Sequence, residues 1–134
     1  MNATFADSFY FFALLNPNDP AHAKAVKFTQ TYQGRLLTTG WILTELADGW
    51  SRPARWRQEF VDLNNDLRVN PNIVIEPCTD ALLEEAINLY SQRLDKEWSL
   101  TDCVSFVVMR RDRVTEALTG DRHYEQAGFV ALLK

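Results

Sequence analysis

The stretch SLTDCVSFVVMRRDRVTEALTGD, residues 99–121, carries most of the information about how this chain folds. Its apolar run from Val104 to Met109 predicts a deeply buried helix. Ser99 stands where the helix N-cap is expected, and Asp102 follows three positions later, as in a capping box. The stretch then gives a short strand, Glu116–Thr119, which a Gly-Asp pair ends. A buried helix thus leads directly into a strand.

The same alternation continues on both sides of this stretch. Strands are predicted over residues 3–6, 36–39, 73–75, 116–119 and 130–133. Helices are predicted over residues 8–15, 21–32, 53–67 and 79–92, with another around 41–47 and the one that Ser99 caps. Strands and helices that alternate at these lengths indicate an α/β fold, with a mostly parallel sheet and helices on both faces. A length of 134 residues is that of one domain, so residues 1–134 are predicted to form a single domain.

Composition places the chain among ordinary globular proteins. The hydrophobic fraction is 46% and the charged fraction 24%, within the normal range for folded domains. Cys78 and Cys103 stand alone in dissimilar contexts, which favours a reducing, cytoplasmic location over a disulfide framework. The first fifteen residues, MNATFADSFYFFALL, lack a basic leader and are too short to span a bilayer. We therefore expect neither a signal peptide nor a membrane segment.

The charge is distributed unevenly. A net charge of −4 argues against non-specific binding to nucleic acid, because such binding depends on neutralising phosphates. The arginines nevertheless gather in two groups, which suits a phosphate-contacting rim around an acidic pocket. The two groups are Arg52, Arg55 and Arg57, and Arg110, Arg111, Arg113 and Arg122. Solvated helix faces would give the same pattern, and the sequence leaves both interpretations open.

Four carboxylates are expected to converge. Asp7 and Asp121 directly follow the first and fourth predicted strands. In an open α/β sheet, residues after the carboxyl ends of the strands face a common crevice. Asp102 lies in the first turn of its helix, so it can reach the same crevice. Glu45 lies about one and a half turns into its helix, and its longer side chain can bridge the remaining distance.

Carboxylates that share one pocket repel one another unless a cation compensates them. Hard oxygen ligands select Mg²⁺ or Mn²⁺, and such an ion can polarise a phosphodiester and activate water. Each acid also has a simpler explanation. Asp7 and Asp121 can be N-caps, Asp102 half of a capping box, and Glu45 an exposed helix acid. Both interpretations stay open for each residue taken singly.

Several segments resemble the PIN-domain nucleases, in particular the VapC-type toxins. They are Asp7-Ser8 after the first strand, TTGWILTEL over residues 38–46, WSLTDC over 98–103, and LTGDRHYEQAGF over 118–129. The last two segments are the most specific. The resemblance extends over nearly the whole chain. It implies a three-layer α/β/α sandwich, dependence on Mg²⁺ or Mn²⁺, and endoribonuclease activity, with RNA as substrate, an antitoxin protein as partner and a homodimer as the assembly.

The resemblance also implies roles for individual residues. The acids that match the family's catalytic, metal-binding set are Asp7, Glu45, Asp102 and Asp121. The expected site-lining residues are Ser8, Thr38, Asp95 and Thr119. The candidates for RNA contact are Arg52, Arg55, Arg57 and Arg122. His123 matches a structural histidine of the family and is not expected to be a metal ligand.

Three other functions are alternatives to the nuclease. A phosphoacceptor receiver domain needs an aspartate after the third strand, where Glu76-Pro77 stands, and a lysine after the fifth. A phosphatase of the Asp-x-Asp type needs a second aspartate where Phe9 stands. A PIN-like module that only binds RNA or protein usually loses one or more of its acids, since nothing offsets the electrostatic cost of keeping them together. All four acids are present, which favours the nuclease over the binding module.

Overall fold

The computed structural model describes residues 2–134 and has five strands and seven helices within them. The strands are β1 (Ala3–Ala6), β2 (Arg35–Thr39), β3 (Ile73–Glu76), β4 (Glu116–Leu118) and β5 (Val130–Ala131). The helices are α1 (Ser8–Leu15), α2 (His22–Thr31), α3 (Gly40–Gly49), α4 (Ala54–Val69), α5 (Asp80–Gln92), α6 (Leu100–Arg111) and α7 (Arg122–Gln126). None of these helices is both long and apolar enough to cross a membrane.

The five strands form one sheet in the order β3-β2-β1-β4-β5, and every pairing is parallel. In the centre of the sheet, Phe5 of β1 is in register with Leu37 of β2 and with Ala117 of β4. All three residues are fully buried. The predicted α/β class with a parallel sheet of five strands is confirmed.

The order of the strands decides where a ligand site can form. The chain builds outward from β1 to β2 and β3, then returns to the other side of β1 for β4 and β5. Because such crossovers are right-handed, α1 to α4 lie on one face and α5 to α7 on the other. Most helix contacts agree, since α1 packs on α2 and α3 while α6 packs on α5 and α7; α3 in addition contacts α6. The connections diverge between β1 and β4, and this switch point is where open α/β sheets bind ligands.

Side-chain caps fix the helix starts near this switch point. Asp7 caps α1, Asp121 caps α7, and Ser99 with Asp102 forms a complete capping box on α6. Each cap satisfies backbone N–H groups that have no partner inside the helix. The capping role proposed as the simpler explanation therefore holds for all three aspartates, and it does not remove them from the crevice.

The core is rich in aromatic residues. The Phe106 ring lies 5.0 Å from both the Trp98 and Tyr124 rings in edge-on geometry. On the other face, Phe11, Ile42 and Leu46 are buried. Burying a side chain of this size contributes roughly 1.5–3 kcal/mol. The packing therefore fixes α6 and α7, whose first residues lie at the crevice.

The structure departs from the prediction in two places. Residues 122–126 form the short helix α7. The sequence allowed an N-cap at Asp121 but predicted no helix range after it, because five residues are too few for a periodic pattern. Strand β5 contains only Val130 and Ala131, although it was predicted to reach Leu133. The N–H groups of Leu132 and Leu133 still donate to the Ala117 and Thr119 carbonyls, so this segment keeps its attachment to β4.

Candidate active site

A cleft of about 370 Å³ opens at the carboxyl ends of β1 and β4. Its lining includes all four predicted acids, Asp7, Glu45, Asp102 and Asp121. The remaining lining residues are Ser8, Phe9, Phe12, Glu97, Ser99 and His123. Acids that are more than a hundred positions apart in the chain therefore share one cavity.

Asp7 is the most buried of the four acids, with 6% of the residue exposed. Its Oδ1 accepts a hydrogen bond of 2.8 Å from the Ser8 backbone N–H, and its Oδ2 accepts one of 2.8 Å from the Thr119 hydroxyl. Burial raises the pKa of Asp7 to about 7, with smaller upward contributions from Glu45 and Asp102. The Thr119 hydrogen bond lowers this pKa but does not offset the burial.

The Thr119 hydroxyl connects the ends of β1 and β4. It accepts a hydrogen bond of 3.0 Å from the Asp121 backbone N–H while it donates to Asp7. A hydroxyl has a single proton, so the bond from Asp121 leaves that proton for the Asp7 carboxylate. Thr119 thereby fixes the spacing between two of the four acids.

Ser8 brings Glu45 towards Asp7. The Ser8 hydroxyl donates to Oε1 of Glu45 and lies 3.5 Å from Oδ1 of Asp7. Glu45 belongs to α3, whose start is fixed by a hydrogen bond of 3.2 Å from the Ile42 N–H to the Thr39 hydroxyl. The cap of α3 and the first residue of α1 together place this acid at the cleft.

Asp102 and Asp121 share the imidazole of His123. The His123 Nδ1 lies 3.2 Å from Oδ2 of Asp102 and 3.4 Å from Oδ1 of Asp121. Burial and the charge of Asp121 raise the pKa of Asp102, while the Ser99 N–H and His123 lower it. The resemblance to PIN-domain nucleases implied a structural role for His123, and these contacts show that it touches two acids directly.

The donor set fits a hard divalent cation. One ligand atom each from Asp102, Asp121 and His123 lies within 4.8 Å of the others. Carboxylate oxygens are the preferred ligands of Mg²⁺ and Mn²⁺. Burial is the main cause of the raised pKa values of Asp7 and Asp102, and the like charges that raise them further are those that a cation would offset.

Three of the four expected site-lining residues, Thr38, Asp95 and Thr119, lie outside the cleft lining. Thr119 is fully buried and reaches the site through its hydrogen bonds. Thr38 is fully buried, and its hydroxyl donates to the Ala6 carbonyl at 2.9 Å, so it ties β2 to β1. Asp95 is exposed and accepts two hydrogen bonds of 3.0 Å from Arg93. The side chain of Thr38 is used within the sheet and that of Asp95 in a surface ion pair.

None of the candidate RNA-contact arginines lines the cleft. The Arg55 guanidinium lies 5.1 Å from the centre of the Trp56 ring, and Arg57 donates to the Ser51 carbonyl at 3.1 Å. Arg52 and Arg122 are exposed. From the second group, Arg111 pairs with Glu76 and Asp112. Contact with RNA through these residues stays a prediction.

The structure adds residues that the sequence did not indicate. Glu97, in the loop before α6, is a fifth acid in the cleft lining, whereas Asp95 from the same loop was the residue expected to line the site. Its position just before the Ser99 cap was the available signal. Tyr124 is fully buried, and its hydroxyl lies near Asp7 and Ser105 without a hydrogen bond of normal geometry to any residue among 2–134. Burial and the nearby Asp7 charge raise its pKa, so the phenol stays protonated beside the acids.

The chain is similar to known proteins both in sequence and in structure. No protein-family model matches the chain. It is 26% identical over 126 residues to the 23S rRNA-specific endonuclease VapC20 of Mycobacterium tuberculosis, and the match covers 94% of this chain and 95% of VapC20.

Solved structures agree with the sequence match. The crystal structure of M. tuberculosis VapC20, a Sarcin-Ricin loop cleaving toxin, superposes with a TM-score of 0.84 at 25% identity and covers 95% of this chain and 96% of that one. FitAcB from Neisseria gonorrhoeae superposes with a TM-score of 0.68 at 16% identity, covering 96% and 94%, and this match speaks for the fold alone. The resemblance to VapC-type PIN-domain toxins that the sequence indicated is confirmed.

Proposed function

We propose that this protein is a divalent-metal-dependent endoribonuclease and the toxin of a type II toxin-antitoxin pair. The observation that carries the proposal is the convergence of Asp7, Glu45, Asp102 and Asp121 on one cleft at the β1–β4 switch point. The likeness to VapC20 over nearly the whole chain supports hydrolysis of RNA as the reaction.

Asp102 and Asp121 would hold Mg²⁺ or Mn²⁺, with Asp7 and Glu45 completing the acidic side of the cleft. When bound, the ion would supply Lewis-acid activation of the phosphodiester and of water. The protein's own contribution is orientation. Thr119 and the Ser8 N–H hold the two oxygens of Asp7, and the Ser99 N–H holds Asp102.

RNA is the proposed substrate, and an antitoxin is the proposed partner. An antitoxin that inhibits this site would place a basic side chain among the carboxylates, since charge-assisted hydrogen bonds to ionised acids are the strong ones. The homodimer and the cytoplasmic location stay predictions from the sequence.

The test of the proposal is Asp102→Asn. Asparagine keeps the volume of the side chain and an oxygen for the Ser99 N–H, but it removes the negative charge. We expect Mn²⁺-dependent cleavage of a tRNA and structured-RNA panel to fall at least about 100-fold, with the melting temperature nearly unchanged. EDTA should abolish cleavage by the unmodified protein.

Asp66→Asn is the matched control, because Asp66 is an exposed acid on α4 outside the cleft. It should cleave at the normal rate. Full activity of Asp102→Asn would contradict the assignment of the site. A purified protein that leaves the whole RNA panel intact with Mn²⁺ would favour the alternative, a catalytically silent PIN-like module that binds RNA or protein.

A further inference from the structure

A second cavity, of about 290 Å³, adjoins the acid cleft and shares Glu97 with it. The end of α5 and the loop before α6 enclose it. Besides Glu97, the side chains that matter in its lining are Tyr90, Arg93, Leu94, Lys96 and Trp98. This loop cavity combines apolar and cationic groups directly beside the acids.

Arg93 presents a flat, fixed surface in the loop cavity. Its guanidinium lies 5.1 Å from the centre of the Trp98 ring. Two hydrogen bonds of 3.0 Å, from Nε and Nη2 to the two Asp95 oxygens, fix the orientation of its plane. A guanidinium has five N–H donors, so donors remain after the contact with Asp95.

Trp98 gives Arg93 a rigid base. Only 4% of Trp98 is exposed, and its Nε1 donates to Oε1 of Gln126 at 3.0 Å. Its ring packs edge-on against Phe106 at 5.0 Å. The Arg93–Trp98 pair is therefore anchored in the core through α6, which contains Asp102, and through α7, which Asp121 caps.

Exposed side chains surround the Arg93–Trp98 pair. Tyr90 is 50% exposed and Leu94 is 84% exposed. Lys96 adds a second cation and lies 3.9 Å from Asp95. Unpaired nucleobases bind proteins by stacking on aromatic rings and arginine planes, with cations along the phosphate backbone.

We propose that the loop cavity binds one unpaired RNA base beside the phosphate that enters the acid cleft. The base stacks on the Arg93 plane with Tyr90 alongside, and Lys96 contacts a flanking phosphate. The assignment rests on the proposed nuclease function. A volume of about 290 Å³ is near the lower end for small-ligand pockets, which suits a single base. Arg93 and Lys96 both lie against Asp95, so the planar face of Arg93, and not a surplus of positive charge, favours a nucleobase over a protein segment.

Binding is measured in EDTA so that no cleavage intervenes. The probe is a short single-stranded RNA with 2-aminopurine at one position, moved along the sequence in successive oligonucleotides. We expect one position at which stacking quenches the fluorescence. Arg93→Ala should remove that quenching and raise the Kd about tenfold, and Arg93→Lys should do the same, because lysine keeps the charge but lacks the plane.

Arg68→Ala is the matched control, since it removes the same charge from the exposed surface of α4. It should change the Kd less than about twofold. The proposal is overturned if Arg93→Ala and Arg68→Ala bind alike, or if Arg93→Lys binds and quenches like the unmodified protein, which would mean that charge alone matters.

Measurements of RNA cleavage distinguish the proposal of a base site from the proposal of nuclease activity. If the unmodified protein cleaves RNA with Mn²⁺ while Arg93→Ala keeps its KM and kcat, the base site is wrong and the nuclease stands. If the unmodified protein cleaves nothing but shows Arg93-dependent quenching, the nuclease proposal fails while the base site is supported.

Discussion

The two halves of the cleft hold their acids in different ways. In the Asp7 half (Asp7, Ser8, Glu45 and Thr119), neutral donors bind a carboxylate that is almost entirely buried. In the Asp102 half (Asp102, Asp121 and His123), the two carboxylates are 13% and 37% exposed and share an imidazole. Neutral donors leave the pKa of Asp7 raised to about 7. Hydrogen bonds therefore position this acid without compensating its charge.

The largest consequence of this difference is expected for stability, at Asp7. Its folded pKa, about 7, lies above its ordinary value of 3.8, so the unfolded chain loses this proton first. Stability in EDTA should therefore fall as pH rises from about 4 to about 7. Asp102, whose pKa is also raised, contributes in the same direction.

Asp7→Asn should remove most of this slope and raise the free energy of unfolding at pH 8 by roughly 2–4 kcal/mol. Asparagine can still cap α1. Urea unfolding in EDTA at pH 5 and pH 8 measures the effect, and Asp66→Asn should keep the slope of the unmodified protein. Identical stabilities of Asp7→Asn and the unmodified protein at both pH values would show that Asp7 has no raised pKa.

A smaller effect is expected from Thr119→Val, which keeps the shape but removes the hydroxyl. The change deprives Asp7 of a donor and the Asp121 N–H of its acceptor, at a cost of about 1–3 kcal/mol. Because the Thr119 hydrogen bond lowers the pKa of Asp7, the acidic limb of the pH–rate profile should move to higher pH.

Thr119→Ser restores the hydroxyl and is expected to restore both the stability and the pH profile. Rate measurements across pH on the two variants separate the hydroxyl from the methyl group. If Thr119→Ser shifted the profile as far as Thr119→Val does, packing would matter at this position and the hydrogen bond would not.

The sequence predicted that acids of the Asp7 half and of the Asp102 half would meet in one cleft, and it did so for the same reason in both halves. Asp7 and Asp121 each follow a strand, and those strands, β1 and β4, are neighbours in the sheet. The capping pattern placed Asp102 at the first turn of α6. Local rules for strand ends and helix caps therefore sufficed to bring three acids together.

The rules for strand ends and helix caps did not predict which side chains line the cleft where tertiary packing decides their orientation. In the loop before α6, Trp98 is buried, and this anchor sends Glu97 to the cleft and leaves Asp95 on the surface. Thr38 follows the strand pattern, but its hydroxyl is used by the Ala6 carbonyl. Neither outcome has a signature in residue spacing, because each depends on which side chain the core takes up.

His123 should give the smallest effect. Its Nδ1 lies within 3.4 Å of an oxygen from Asp102 and from Asp121, so His123→Leu leaves two carboxylates without their shared partner. In EDTA we expect a loss of about 1 kcal/mol or less, because the site is partly open to solvent. Thermal unfolding with increasing Mn²⁺ then distinguishes two roles for the imidazole.

If His123 only holds the carboxylates in place, Mn²⁺ takes over that role in His123→Leu, and the gain in melting temperature is at least as large as in the unmodified protein. If the imidazole is itself a ligand, the gain is smaller, because binding is weaker. We expect the first result, since the imidazole and a cation would compete for the same two oxygens. His123→Asn, with an amide in place of the ring, should fall between the unmodified protein and His123→Leu, because it can keep one donor near Asp102.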